Sequence, residues 1–542
     1  MRTHDSLHVN RRRFLSALGA CGAAAALPRW LQAADAPAAA SSPAPASKPA
    51  AGLPNIVYIL ADDLGYGDVS CLNRDSKIRT PNLDRLAAAG MAFTDAHSGS
   101  AVCTPTRYGI LTGRYAWRTH LRSGVLGGYS PPLIAAGRLT VPSLLKPHGY
   151  HTGCIGKWHL GMDWPRADAQ GAAGQNKNSG SPNVDYTKPL GRGPTTVGFD
   201  SYFGISASLD MPPYCFIEND RTVGIPSVTK TLFRGRPGAA TPDFEAADVL
   251  PALTRKAVEY IEQRAKDRQP FFLYVPLNSP HTPIAPSPAF AGKSGISPYA
   301  DFVIETDWAA GQVADALDRS GLGENTLLVF ASDNGCSPEA NFKQLAEHGH
   351  NPSYVYRGTK ADIFEGGHRI PFIARWPARI KAASTCADPI CLVDLLATCA
   401  QIVGATLPDG AGEDSVSILP DLLGTAAGPV REAVVHQSIN GSLALRQGKW
   451  KLEVCPDSGG WSAPKPGSPD AADLPPVQLY DLTQDIAERK NLQAGEAEVV
   501  ARLTALLQRY IDEGRSTPGQ RQANDVPVPL RLPAKRATPK GT

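Results

Sequence analysis

The stretch NIVYILADD, residues 55–63, decides the fold of this chain. Its run from Asn55 to Leu60 is apolar without alternation, which is typical of a strand buried on both faces in the middle of a parallel sheet. The run stops at Asp62-Asp63. Ligands of open α/β sheets gather at the carboxyl ends of such strands, so these two carboxylates are candidate site residues.

The same pattern returns further along the chain. Strand-length runs are predicted at His151–Ile155, Pro270–Val275 and Thr326–Ala331, and the last one ends in Ser332-Asp333-Asn334. Helical patterns lie between the runs, one after Thr80-Pro81 and a long one at about 302–320, and a strand at 372–376 and a helix at about 390–403 follow. This alternation predicts a doubly wound α/β sheet domain with helices on both faces, spanning 53–428.

A second, smaller domain is predicted over 429–514. Short strand patterns at 443–446, 450–454 and 478–482, with a closing helix at about 499–510, indicate an antiparallel sheet plus a helix. Residues 515–542 are rich in proline and basic residues and are predicted to be a disordered tail.

The first 36 residues are typical of a secretory leader. NRRRFL, residues 10–15, precedes a small apolar run, and twin arginines followed by Phe-Leu resemble a Tat signal peptide over 1–36, with a Pro/Ala/Ser linker over 37–52. The apolar run is shorter than the ~20 residues of a membrane span. We therefore expect Tat export, no transmembrane span in the mature chain and a periplasmic or extracellular location. Lipid anchoring at Cys21, in LGAC (18–21), is the alternative.

Composition excludes several function classes. The 542 residues carry a formal charge of +3, with 42% hydrophobic and 19% charged residues, which gives no case for nucleic-acid binding. The ten cysteines contain no C-x-x-C pair, so neither a zinc module nor a disulfide framework is indicated. One or two bridges, for example among Cys386, Cys391 and Cys399, are left open.

The segment SAVCTPTRYGILTGR, residues 100–114, indicates a nucleophile in an anion pocket. Pro105 suits the first turn of a helix, which places Cys103 at the helix N-terminus, where unpaired N–H groups and the helix dipole favour an anion. Arg107 returns to the same helix face four residues later. A buried structural cysteine beside a surface arginine is the alternative for this motif alone.

Oxygen donors follow two of the predicted strands. Asp62, Asp63, Asp333 and Asn334 would converge if those strands are neighbours, and hard oxygen ligands suit calcium or magnesium rather than zinc. Each of them alone is more simply a turn or helix cap. Further candidates are Lys157 and His159, on one face of an extended GKWHLG (156–161), His281 in SPHTP (279–283) and Lys360 in RGTK (357–360).

The C-x-P-x-R motif with LTGR after it resembles the signature of the type I sulfatases, which are formylglycine-dependent, arylsulfatase-like members of the alkaline phosphatase superfamily. Thr104 and Thr106 replace the serines of many members. The resemblance covers about 54–492 and includes the lysine and histidine motifs. It implies an alkaline-phosphatase-like fold, oxidation of Cys103 to Cα-formylglycine by a formylglycine-generating enzyme, and a calcium ion, with magnesium as the alternative, held by the four oxygen donors and position 103.

The resemblance also implies roles in the hydrolysis of a sulfate monoester, aryl or carbohydrate. One hydroxyl of the hydrated aldehyde at position 103 attacks sulfur, and Asp333 takes its proton. Lys157 and Arg107 hold the formylglycine, and Lys360 holds the sulfate. His281, helped by Lys360, protonates the leaving oxygen, and His159 deprotonates the second hydroxyl so that sulfate is expelled.

Two other functions are left open by charge and fold. One is a phosphomonoesterase, phosphodiesterase or phosphonate hydrolase of the same superfamily, although no second His-rich metal cluster accompanies the aspartates. The other is an inactive exported binding protein on the same scaffold. Substrate specificity is expected in the loops 163–197 and 209–221, with Trp164, Tyr214 and Phe216 as candidate stacking residues. His348, His350 and His368 are assigned no catalytic role and are expected to be loop histidines, one of which could reach the rim of the pocket.

Overall fold

A computed structural model describes residues 52–167, 183–234, 236–267 and 269–533. The predicted signal peptide and all but the last residue of the predicted linker lie outside this range. So does the middle of the loop 163–197. No helix in the described ranges is both long enough and apolar enough to cross a membrane.

The β-strands of the described residues, in chain order, are β1 (Asn55–Ala61), β2 (Met91–Phe93), β3 (Ala96–His97), β4 (His151–Lys157), β5 (Ser201–Ile205), β6 (Ile217–Glu218), β7 (Arg221–Thr222), β8 (Val228–Thr231), β9 (Pro237–Ala240), β10 (Phe271–Pro276), β11 (Thr326–Ser332), β12 (Phe372–Arg375), β13 (Ser384–Cys386), β14 (Ile390–Cys391), β15 (Val434–Gln437), β16 (Leu443–Gln447), β17 (Trp450–Glu453) and β18 (Gln478–Asp481).

The α-helices are α1 (Pro81–Ala88), α2 (Cys103–Thr112), α3 (Val141–Leu145), α4 (Ala246–Arg264), α5 (Pro298–Arg319), α6 (Phe342–Glu347), α7 (Glu365–His368), α8 (Leu395–Ile402), α9 (Leu419–Leu422) and α10 (Ala497–Asp512).

A ten-stranded sheet organises the large domain. Its strand order is β13-β2-β12-β11-β1-β10-β4-β5-β6-β7, and β11, β1, β10, β4 and β5 form a parallel centre. The strands predicted at 55–60, 151–155, 270–275 and 326–331 all lie in this centre. β12 and β2 pair antiparallel on one side and β6 and β7 on the other, so the sheet is mixed at its edges.

Helices cover both faces of this sheet, which confirms the doubly wound α/β prediction. Ile56, Tyr58 and Leu60 of β1 face a core shared with α2, α3 and α8. The alternate side chains, Val57 and Ile59, face a second core shared with α1, α4 and α5. The strand therefore buries both faces, as its unbroken apolar run predicts.

The predicted helix at 390–403 is wrong at its start. Ile390–Cys391 is the short strand β14, which pairs with Ala96–His97, and a 3-10 turn precedes α8. Asp394 holds this turn, because its carboxylate accepts hydrogen bonds from the Cys391 and Val416 N–H groups at 2.9 Å. The nine cysteines of the described residues are all free, including Cys386, Cys391 and Cys399.

The C-terminal region forms a four-stranded antiparallel sheet, β15-β16-β17-β18, covered by α10. Three of its strands were predicted, whereas β15 was not. The predicted disorder does not hold at the start of the tail, since Arg515 is buried and the Asp525 carboxylate lies 3.0 Å from the guanidinium of Arg114. The boundaries proposed at 428 and 514 stay predictions.

A buried polar network lies between the large domain and the four-stranded C-terminal sheet. His97 of β3, His368 of α7 and His436 of β15 are fully buried, and the rings of His368 and His436 stack at a centroid distance of 3.6 Å. The Nδ1 atoms of His97 and His368 are 3.1 Å apart. His368 is thus part of a packed interface and not a loop histidine. Charged side chains surround the three rings, namely Asp95, Glu365, Arg369, Arg446, Lys451, Glu453 and Glu488.

We predict that this network makes folding stability sensitive to acid. Burial disfavours the charged imidazolium and lowers the pKa of His97, His368 and His436. Their contribution is therefore fully present above about pH 6.5, the pKa of an unfolded histidine, and is lost as the pH falls below it, by up to about 1.4 kcal/mol per pH unit for each proton. Denaturant unfolding at several pH values between about 7 and 5 measures this slope.

The variant His436→Gln gives the matched comparison, because glutamine keeps a polar group but does not titrate. The slope of its unfolding free energy against pH should be smaller than that of the natural protein, by up to the contribution of one proton, about 1.4 kcal/mol per pH unit. An identical slope in the two proteins would contradict the assignment to these histidines.

Candidate active site

Four neighbouring strands bring the predicted site residues to one edge of the sheet. Asp333 and Asn334 follow β11, Asp62 and Asp63 follow β1, His281 follows β10 after a short loop, and β4 ends at Lys157. Because β11, β1, β10 and β4 are parallel, their carboxyl ends meet. The four oxygen-bearing side chains predicted from the sequence therefore do converge.

Cys103 enters this edge from the side. It is the first residue of α2, as the sequence predicts, and it is buried. Its sulfur and carboxylate oxygens of Asp62 and Asp333 all lie within 4.8 Å of one another. Burial raises the pKa of the Cys103 thiol, although Lys157 and Lys360 oppose the effect. An unmodified thiol here would be protonated and a poor nucleophile.

The segment that leads into Cys103 is held by backbone hydrogen bonds. Ala101 N–H donates to the carbonyl of Gln437 in β15 at 2.9 Å, and its own carbonyl accepts from Ala361 N–H at 2.8 Å. Gln437 N–H donates to the Gly99 carbonyl at 3.1 Å. The C-terminal sheet thus fixes the backbone that carries the candidate nucleophile.

Each aspartate of the site has a different cation as its nearest charged partner, and Arg107 Nη2 also lies 3.6 Å from Asp62 Oδ1. Lys157 Nζ lies 2.6 Å from Asp62, Arg107 Nη2 lies 2.7 Å from Asp333, and Lys360 Nζ lies 2.8 Å from Asp63. These pairs are almost fully buried, so each of them is held against a large desolvation cost. Removal of one partner would leave an uncompensated buried charge.

The aspartates differ in their proton affinity. Burial works against the charged form of Asp62, but Lys157, His281 and Arg107 outweigh it and lower its pKa. Burial and the negative charge of Asp62 raise the pKa of Asp333 to about 7. Asp333 therefore holds a proton more readily than Asp62.

Two oxygen atoms of the site have no hydrogen-bond partner among the described residues. They are Oδ1 of Asp62 and Oδ1 of Asn334, and both are buried. Asn334 is oriented because its Nδ2 donates to Asp63 at 2.7 Å, which leaves its carbonyl oxygen to the site. Orphaned hard oxygen atoms beside three carboxylates fit the ligand set of calcium or magnesium.

His159 presents one unpaired ring nitrogen. Its Nε2 lies 2.7 Å from the Leu126 carbonyl, so Nε2–H is the donor and Nδ1, which is buried and has no partner, carries the lone pair. Burial and the charges of Lys157 and Arg107 lower the pKa of His159 well below its usual range. The ring is therefore neutral and able to accept a proton.

His281 and Lys360 lie where the site meets solvent. They are 7% and 6% exposed, whereas the other predicted site residues are at most 2% exposed. His281 Nδ1 pairs with the Thr282 carbonyl at 2.7 Å, and its Nε2 lies 3.6 Å from Asp63. These two residues are therefore the most solvent-exposed of the predicted site residues.

The backbone is strained at three points of the site. Asp63, His159 and Ala361, which follows Lys360, have positive φ angles of 67°, 56° and 80°. Such conformations cost roughly 1–3 kcal/mol each in residues other than glycine and persist only where the surroundings enforce them. Their clustering here indicates that the site geometry is imposed by the fold.

The aromatic residues proposed for stacking all make contacts within the protein, and Tyr214 is buried, whereas Trp164 and Phe216 are partly buried. Phe216 stacks on Phe203, and the Trp164 indole donates to the Gly128 carbonyl at 3.0 Å. Sequence reasoning also missed the Leu126 carbonyl, because no sequence signal marks a backbone acceptor. A separate cavity of about 640 Å³, lined by Tyr354, Arg357, Asp485, Arg489 and others, contains none of the predicted site residues.

Comparison with known proteins gives a consistent result. A family model described as Sulfatase matches residues 54–405. N-acetylgalactosamine-6-O-sulfatase of Bacteroides thetaiotaomicron is 35% identical over 499 residues, which cover 84% of this chain and 92% of that protein. Arylsulfatase A of Homo sapiens is 33% identical over 470 residues, 82% of this chain and 84% of that protein.

A solved structure from work on the metabolism of multiple glycosaminoglycans by Bacteroides thetaiotaomicron is also similar. It aligns with a TM-score of 0.72 at 33% identity and covers 84% of this chain and 99% of that chain. The similarity therefore extends over most of the described residues.

We predict that calcium stabilises the folded protein through the orphaned oxygens. At about 100 times its dissociation constant a ligand specific for the native state adds ~2.7 kcal/mol, so calcium should raise the melting temperature and a chelator should lower it. Calorimetry with and without calcium measures the shift. Asp62→Asn should reduce it. The control Asp307→Asn removes a buried carboxylate of α5 elsewhere and should keep the full shift. Equal calcium shifts in the natural protein and Asp62→Asn would contradict this site.

Proposed function

This chain belongs to the sulfatase family and hydrolyses sulfate esters, and from that premise we propose that its substrates are sulfated carbohydrates and that its nucleophile derives from Cys103. Its fold is of the alkaline-phosphatase-like type. The substrate class is supported by the similarity to an N-acetylgalactosamine-6-O-sulfatase and to a structure from glycosaminoglycan metabolism. The observation that carries the chemistry is the convergence of three aspartates, three cations and Cys103 at one sheet edge.

Two groups would complete the site. Formylglycine at position 103 would supply a hydrated aldehyde, with one hydroxyl to attack sulfur and a second to release sulfate. A calcium ion, or magnesium, held by Asp62, Asp63, Asp333, Asn334 and position 103, would supply positive charge for the sulfate oxygens. The orphaned oxygens of Asp62 and Asn334 support this ligand set.

The three cations hold and orient the reacting groups. Arg107 is itself fixed, because its Nε and Nη2 donate to Asp333 and its Nη1 donates to the Lys157 carbonyl at 3.0 Å. We assign Arg107 and Lys157 to position 103 and Lys360 to the sulfate. Lys360 suits this role because its ammonium group reaches the site from the solvent side.

Three residues move protons. His159 would accept the proton of the second hydroxyl at Nδ1, which is the unpaired nitrogen. His281, at the opening, would protonate the leaving oxygen at Nε2, with Lys360 beside it. Asp333 would take the proton of the attacking hydroxyl. The buried surroundings exclude water and strengthen each of these interactions.

The leader supports an exported enzyme. We propose that a formylglycine-generating enzyme modifies Cys103 in the cytoplasm and that the Tat machinery then exports the folded protein to the periplasm or beyond. Twin arginines in NRRRFL, residues 10–15, are the sequence feature that favours this route.

Cys103→Ser, made in a host that does not convert serine to formylglycine, tests the nucleophile. Serine has one hydroxyl, so attack on sulfur would leave a serine sulfate ester with no second hydroxyl to expel the sulfate. We expect at most one turnover, a burst no larger than the enzyme concentration and a stable sulfuryl mass gain at position 103, with the natural protein showing the thiol-to-aldehyde mass change. Sustained turnover by the serine variant would refute the mechanism.

His281→Ala tests the acid. A nitrophenolate leaves without much protonation, whereas a sugar alkoxide needs a proton, so kcat/KM should fall ~10²–10⁴-fold on a sulfated sugar and much less on nitrophenyl sulfate. His348→Ala, at an exposed position outside the site, is the control and should change neither value. Equal losses on the two substrates would remove His281 from the acid role.

A further inference from the structure

We propose that Trp461 is an aromatic platform on which the sugar ring of the substrate stacks beside the active site. This inference rests on the proposed carbohydrate specificity and goes beyond it, since it assigns a specificity-determining residue to the C-terminal sheet. Trp461 lies in the connection between β17 and β18, more than 100 residues after Lys360 in sequence (461 minus 360 is 101).

The loop that carries Trp461 is anchored directly behind Lys360. Asp362, two residues after Lys360, is buried and accepts hydrogen bonds from the N–H groups of Trp461 at 2.7 Å and Ser462 at 3.0 Å. The Ser462 hydroxyl donates to the second carboxylate oxygen, which also accepts from Thr359 N–H at 2.9 Å. One carboxylate therefore joins the loop to the residues on both sides of Lys360.

The loop also passes in direct contact over Ala361. Ile363 N–H donates to the Ser458 carbonyl at 2.8 Å. A Cβ atom added to Gly460 would lie 2.5 Å from the Ala361 carbonyl oxygen and from an Asp362 carboxylate oxygen, so only glycine permits this approach. Trp461 follows immediately, and its N–H group is bonded to Asp362, two residues from Lys360.

The loop is rigid before any substrate arrives. Ser458 N–H donates to the Pro464 carbonyl at 2.9 Å, and the Ser458 hydroxyl donates to the Ser462 carbonyl at 2.8 Å, which closes the turn around Trp461. Asp457, Ser458 and Gly459 are buried beneath it. A preordered backbone loses little conformational entropy when a ligand binds to the side chain that it presents.

Trp461 is left in solvent despite this firm anchoring. It is 39% exposed and is the one exposed tryptophan among those that the structure describes. Covering exposed indole surface with an apolar face is favourable, because it removes that surface from water. The C–H groups on one face of a pyranose ring provide such an apolar face. In this proposal, a sulfated sugar whose sulfate is held at Lys360 places its ring over the indole.

The test compares two substrates in two variants of Trp461 and in one control variant. Trp461→Ala should lower kcat/KM on a 6-O-sulfated N-acetylhexosamine disaccharide at least about tenfold more than on nitrophenyl sulfate, chiefly by raising KM. A tenfold change corresponds to ~1.4 kcal/mol of binding free energy. Trp461→Phe, which keeps an aromatic face, should recover most of the loss. Leu474→Ala is the matched control, because Leu474 lies in the same connection and is also 39% exposed. It should change neither substrate.

The outcomes separate this inference from the function on which it rests. If the natural protein desulfates the disaccharide and Trp461→Ala loses activity equally on both substrates, or on neither, the platform is refuted and the carbohydrate assignment stands. If the natural protein hydrolyses nitrophenyl sulfate but no sulfated saccharide, the carbohydrate assignment itself fails. Loss on the disaccharide in Leu474→Ala would also overturn the inference, since it would indicate a general disturbance of the connection.

Discussion

The compensation of buried charge is the constraint on which this structure depends. A parallel sheet delivers Asp62, Asp63 and Asp333 to one edge, where helices and loops exclude water. Three carboxylates cannot remain ionised in such a place without opposite charge nearby. The opposite charge comes from three cations, namely Arg107 of a helix, Lys157 of a strand and Lys360 of a loop. Every charge of the site therefore has a structural as well as a chemical role.

The small C-terminal sheet takes part in this arrangement and is no mere appendage. β15 pairs with the backbone just before Cys103, and the connection after β17 is bonded to the carboxylate of Asp362 beside Lys360. The buried histidines lie between this sheet and the large domain. The candidate nucleophile and one of its three cations are thus held in place by residues more than 300 and about 100 positions further along the chain.

Sequence patterns predicted what local chemistry determines. Continuous apolar runs identified the central strands, and Cys103 was correctly placed at a helix start because Pro105 follows it. β15 was missed, because the buried His436 and Gln437 interrupt its apolar pattern with polar residues that only the polar interface explains. Pairings such as Lys157 with Asp62 depend on strand order, which the sequence does not encode locally. Trp461 lies among glycine, serine and proline, and nothing in that stretch distinguishes it from an ordinary loop.

The backbone clamp on the segment before Cys103 has a consequence for the timing of biogenesis. The hydrogen bonds that hold the segment before Cys103 require Gln437, a residue synthesised 334 positions after Cys103 (437 minus 103 is 334). At roughly 5–20 residues per second, about 17–67 s pass between the synthesis of Cys103 and that of Gln437, and during this time the segment before Cys103 lacks these hydrogen bonds. An enzyme that modifies the Cys103 side chain must therefore act before the C-terminal sheet folds. A chain that completes this sheet first keeps Cys103 buried in its unmodified form.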